Sequence, residues 1–63
     1  MRNQKERIRE LYHMAKNLLR QARKDNLEGT VHFYLGQLKA YQDALQAITG
    51  WTMDRIEDYM EEA

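Results

Sequence analysis

Apolar positions in the first third of the chain recur at steps of three and four. Ile8, Leu11, Ala15, Leu18 and Ala22 carry the pattern, and Tyr12 and Leu19 widen it. At about 100° per residue they gather on one side, so an amphipathic helix is expected over about 3–25. The second segment is more regular. Leu27, Val31, Tyr34, Leu38, Tyr41, Leu45 and Ile48 keep a 4-3-4-3-4-3 spacing, the seam of a coiled-coil-like helix over about 27–49. Half a turn away lie Gly29, Phe33, Gly36, Ala40, Ala44 and Ala47. Only His32, Lys39, Asp43 and Gln46 form a wedge suited to water. A helix apolar on two faces is expected to be covered on two sides.

The link between these helices reads two ways. Asp25 caps the second helix with Glu28 three residues on, or Gly29 ends the first helix and Thr30 caps the second. Either gives a tight connection and antiparallel neighbours. Gly50 is placed to stop the second helix, with Trp51 folding back on Leu45. Thr52 then caps a third helix over about 53–62, with Trp51 and Ile56 as a hydrophobic staple. Met53, Ile56 and Met60 give that helix one apolar edge; Asp54, Asp58 and Glu61 share another. Glu61 and Glu62 stand at the end where the helix dipole opposes them, so this terminus is expected to fray unless cations meet it.

The implied architecture is all-α, one small domain over 1–63: an antiparallel helical hairpin plus a short C-terminal helix. One hairpin cannot cover both faces of its second helix, whereas two hairpins in a four-helix-type bundle can. A homodimer is therefore expected, with Gly29, Phe33, Gly36, Ala40, Ala44 and Ala47 at its interface.

Composition sharpens this. A chain of 63 residues buries only about 60% of its unfolded surface, and small folds usually need a disulfide, a metal or a partner. There is no Cys, which excludes disulfides and thiolate sites, and two His are too few for a metal cage without carboxylates. Oligomerisation is left as the support. Lack of Pro favours unbroken helix, and lack of Ser removes the commonest hydroxyl nucleophile. No apolar run approaches the roughly 18 residues of a membrane span, and no apolar core of a signal peptide follows the basic N-terminus. With the missing Cys, this points to the cytoplasm.

Net charge is zero, but the charges are sorted. Residues 1–24 hold eight cations and two acids, and the rest of the chain holds two cations and eight acids. Within the first helix, Arg2, Lys5, Arg9, Lys16, Arg20 and Arg23 fall in one narrow arc beside the apolar stripe. This ridge would be about 30 Å long. Aligned cations repel and invite an anion. Four readings stay open: an acidic protein surface, a nucleic-acid backbone, the acids Asp54, Asp58 and Glu61 of this chain or a second copy, and a solvated face.

Other constellations are weaker. Glu10 and His13 match the Glu-x-x-His spacing of di-iron bundles, but they point away from the apolar stripe and are expected to face water. His32 lies one turn after Glu28 with no nucleophile beside it. Tyr34 and Tyr41 suit core aromatics with wet hydroxyls, and Met1, Met14, Met53 and Met60 suit gap-filling. Membrane-surface binding by the first helix competes with its need for the same apolar face in the hairpin. No catalytic residue, metal or cofactor is assigned. The sequence points to a small non-enzymatic regulator or adaptor that binds a protein with an acidic surface through the basic ridge, with RNA or DNA on the same ridge as the alternative.

Overall fold

The structure is a computed structural model that describes residues 3–62. It consists of α1 (Gln4–Lys24), α2 (Glu28–Thr49) and α3 (Met53–Glu61), with no strand among the described residues. All three expected helices are present.

Local chemistry sets their ends. The Asn3 carboxamide accepts from the Glu6 backbone N–H at 2.9 Å and caps α1. Arg23 and Lys24 lie in its last turn, where the dipole favours cations. The turn follows neither expected reading. Asn26 takes a left-handed conformation at φ 59°, its N–H donates to the Arg23 carbonyl, and the Leu27 N–H donates to the Ala22 carbonyl at 2.9 Å. These two bonds form a Schellman close with Asn in the place of Gly. Asn tolerates that conformation better than other side chains do. Helix α2 can therefore begin at Glu28, with Leu27 at its N-cap and no side-chain cap. Gly29 and Thr30 lie inside its first turn, so neither Asp25 nor Thr30 serves as the cap expected of it.

The α2–α3 corner follows expectation. Gly50 is left-handed at φ 72°, and its N–H donates to the Gln46 carbonyl at 2.8 Å. The Thr49 hydroxyl donates to the Leu45 carbonyl and accepts from the Trp51 N–H, while Gln46 donates to the Trp51 carbonyl. Thr52 accepts from the Arg55 N–H and caps α3. Gly50→Ala is expected to cost about 1–2 kcal/mol, because a side chain at this φ is strained. A thermal melt should show it as a loss of about 4–8 °C per kcal/mol.

Tyr12, Leu45, Ile56 and Met60 form the core, flanked by Ile8, Leu38, Tyr41, Trp51, Met53 and Tyr59. Leu45, Ile56 and Met60 are wholly buried. Two of these three belong to α3, which is thus a third wall of the core. Towards the turn, Ala15, Leu19 and Ala22 are buried along α1. The seam of α1 is therefore Ile8, Tyr12, Ala15, Leu19 and Ala22. Leu11 sits at its margin and Leu18 is exposed, a shift of part of a turn from the expected stripe.

Helix α2 is not covered on two sides within the chain. Leu45 is its one buried residue. Gly29, Phe33, Gly36, Ala40, Ala44 and Ala47 are all exposed, and a Cβ built on Gly29 or Gly36 meets nothing within 4 Å.

Candidate functional site

The cations of α1 meet α3. After Gly50 turns the chain, α3 lies over the N-terminal half of the basic ridge. The Lys5 ammonium stands 5.3 Å from the centre of the Trp51 ring, and the Arg9 guanidinium stands 4.4 Å from that of Tyr59. Arg9 also pairs with Glu62 at 3.6 Å, and Lys16 with Glu61 at 3.3 Å. Trp51 and Tyr59 meet edge to face at 5.5 Å, and Arg55 lies 4.5 Å from the Trp51 ring centre. Cations over aromatic faces contribute about 0.5–1 kcal/mol each at such exposed sites, and the two ion pairs about 0–1 kcal/mol each. Both acids are largely in water, so these contacts orient α3 more than they hold it. Burial of Ile56 and Met60 holds it.

Self-pairing was one of four readings of the ridge, and for its N-terminal half the structure shows that contact. The acids involved are Glu61 and Glu62; Asp54 and Asp58 are exposed. The aromatic partners were not foreseen, although Trp51, Arg55 and Tyr59 fall one helical turn apart. Arg2 lies outside the described residues. Arg20 and Arg23 lie beyond the reach of α3 and are exposed. Arg20 donates to Asn17 at 3.5 Å, and Arg23 borders an open hollow of about 390 Å³ with Asn26, Leu27, Glu28, Val31 and His32. Lys24 adds a third exposed cation at this end.

His13 differs from expectation. It is half-buried, and its Nε2 is shut off from solvent with no hydrogen-bond partner among the described residues. The Tyr12 ring meets it edge-on at 5.7 Å. It sits one turn before Lys16, whose ammonium pairs with Glu61 of α3. Among the described residues, no group of three His, Cys, Asp or Glu could hold a metal ion. His32 is exposed. No helix is long and apolar enough to cross a membrane among the described residues.

Opposite α3 the hairpin is open. On α1, the ridge lies on one flank of the buried seam, and Leu11, Met14 and Leu18 lie on the other. On an antiparallel α2, the flank on that same side carries Phe33, Tyr34 and Tyr41, of which Tyr41 also packs on the core, while Ile48 borders a hollow with Lys5 and Trp51 beside the α2–α3 corner. Met14 is 57%, Leu18 48%, Phe33 59% and Ile48 46% exposed, while Leu11, Tyr34 and Tyr41 are half-buried. Phe33 and Tyr34 contact each other edge to face at 5.2 Å. Scattered apolar residues on a surface are ordinary; Met14, Leu18 and Phe33 are large ones that share this flank.

No protein-family model matches this chain, and no curated protein or solved structure matches it either. The functional reading therefore rests on its own residues.

Proposed function

We propose that this chain is a small non-enzymatic adaptor or regulatory protein that works by binding another protein, and that it does so as a homodimer of hairpins. The observation that carries the reading is the division of the surface. An open apolar flank lies on one side of the hairpin, and a cationic end lies at Arg20, Arg23 and Lys24. The flank suits assembly. The cationic end suits a partner with an acidic surface, since Arg pairs with carboxylates in a planar two-pronged geometry. Nucleic acid fits less well, because a backbone tracked along the whole ridge would compete with Trp51, Tyr59, Glu61 and Glu62 for Lys5, Arg9 and Lys16.

The test uses the full chain and the variant R20E/R23E. Far-UV circular dichroism is expected to be unchanged, because both positions are exposed. A tagged chain should capture an acidic protein from its host with or without nuclease, and the variant should lose it. Titration with duplex RNA or DNA at about 50 mM salt should give no binding at micromolar concentration. Binding with a steep loss of affinity on adding salt would replace this reading with nucleic-acid recognition. Equal capture by the variant would move the partner site elsewhere.

A further inference from the structure

We propose that a second copy of this chain covers the open flank, with the two α1 helices packed antiparallel about a two-fold axis passing between Met14 and Leu18. This rests on the homodimer reading above and names its interface.

A second ladder runs along α1. Arg7, Leu11, Met14, Leu18, Gln21 and Asp25 are spaced 4-3-4-3-4, interleaved with the buried seam and turned towards the flank opposite α3. Within the chain it is largely uncovered: Leu11 is half-buried, and Arg7, Met14, Leu18, Gln21 and Asp25 are exposed. Its two ends have opposite charge. Gln21 donates to the Asp25 carboxylate at 3.2 Å, which keeps that acid on the ladder.

The charges decide the direction of pairing. Parallel α1 helices would set Arg7 against Arg7 and Asp25 against Asp25. An antiparallel pair sets Arg7 of each copy against Asp25 of the other, Leu11 against Gln21, and Met14 against Leu18. A two-fold axis makes every such contact twice. The axis also serves α2. Counted from the turn at 25–27, the midpoint of the ladder lies level with Gly36 and about one residue from Gln37 in the antiparallel partner helix. Tyr34 and Tyr41 flank Gln37 by about one turn each, so the axis carries one tyrosine close to the other. The polar Gln37 falls beside the axis, where its carboxamide can both donate and accept towards its own copy.

The area suffices. Two helices each about 10 Å across, in a body 35 Å long, present on the order of 700 Å². A standard stable interface takes about 600–1,000 Å² from each partner. The small-residue face of α2 offers less, because of Gly29, Phe33, Gly36, Ala40, Ala44 and Ala47 only Phe33 is large, and Phe33 borders the open flank as well.

Light scattering after size exclusion, and sedimentation at several concentrations, would test this. The natural chain is expected to run as a dimer. L18E and M14E should each weaken it at least about tenfold, because an unpaired carboxylate would be buried at the centre. Both positions are exposed in the single chain, so helicity should persist, and circular dichroism checks it. R7D and D25R should each weaken the dimer by about three- to tenfold, and the double swap R7D/D25R should restore it. R20E/R23E should leave the mass unchanged, so loss of the external partner and loss of the dimer are read separately. A monomer at all concentrations would overturn the proposal. So would a dimer broken by G36L but not by L18E, which would move the interface to the small-residue face. Failure of the double swap to restore association would overturn the antiparallel α1 pairing.

Discussion

Leu45→Ala should remove about 2–5 kcal/mol of stability. Leu45 is wholly buried and sits in the cluster where all three helices meet, with Tyr12, Ile56 and Met60. Truncation removes the apolar transfer energy and leaves a cavity walled by side chains from separate helices. Such walls cannot all close in without moving a helix. A domain of this length has about 3–9 kcal/mol in total, so the loss is a large fraction of the whole. Urea titration followed by far-UV circular dichroism would measure it as a fall in midpoint. Leu27→Ala is the control. Leu27 belongs to the same 4-3 seam in the sequence, but it is 49% exposed at the turn, so its loss should be under about 1 kcal/mol. Equal effects at the two positions would show that the core is not at the three-helix junction.

Ile56→Asp should do more. Ile56 has no exposed surface, and an ionised carboxylate there would have neither water nor a cation as partner among the core residues Tyr12, Leu45 and Met60. The combined cost is on the order of 4–5 kcal/mol or more. The manner of the loss is informative. If α3 were an appendage, it would come away and leave a folded hairpin. Because α3 supplies two of the three wholly buried side chains, its departure opens Tyr12 and Leu45 to water as well. We therefore expect one cooperative collapse of helicity. Amide hydrogen exchange should show protection falling in α1 and α2 as much as in α3. Loss confined to residues 51–62 would show the hairpin to be self-sufficient. Glu57→Asp, at an exposed neighbour, should change little.

Much of this fold could be read from local signals. The end of α2 at Gly50 and the start of α3 at Thr52 needed only a glycine that accepts positive φ and a hydroxyl that caps. The turn at 25–27 is ambiguous in the sequence because Asn26, Gly29, Asp25 and Thr30 all carry plausible turn chemistry within six residues. The choice fell to Asn26 through two backbone bonds that leave no mark in composition. The seam of α1 was ambiguous for a different reason. Two ladders of 4-3 spacing run side by side and both carry large apolar residues, so spacing does not say that Tyr12 and Leu19 are buried while Leu18 is exposed. The inward one alternates Tyr12 and Leu19 with the small Ala15 and Ala22. From α2, Leu38 and Tyr41 pack against the core that Tyr12 shares with Leu45, Ile56 and Met60. The ridge is visible in the sequence as six cations, and acids are the partners that charge alone leads one to expect. Aromatic faces at Trp51 and Tyr59 satisfy Lys5 and Arg9 without any charge to announce them.

Trp51 is the sole tryptophan of the chain. It touches the α2–α3 corner through its backbone, Tyr59 through its ring edge, and Lys5 and Arg55 through its face. Its indole is thus a built-in optical gauge of whether α3 is seated. Emission from that one fluorophore, quenched or shifted by iodide and pH, would follow the docking of the last helix in real time, with no label attached.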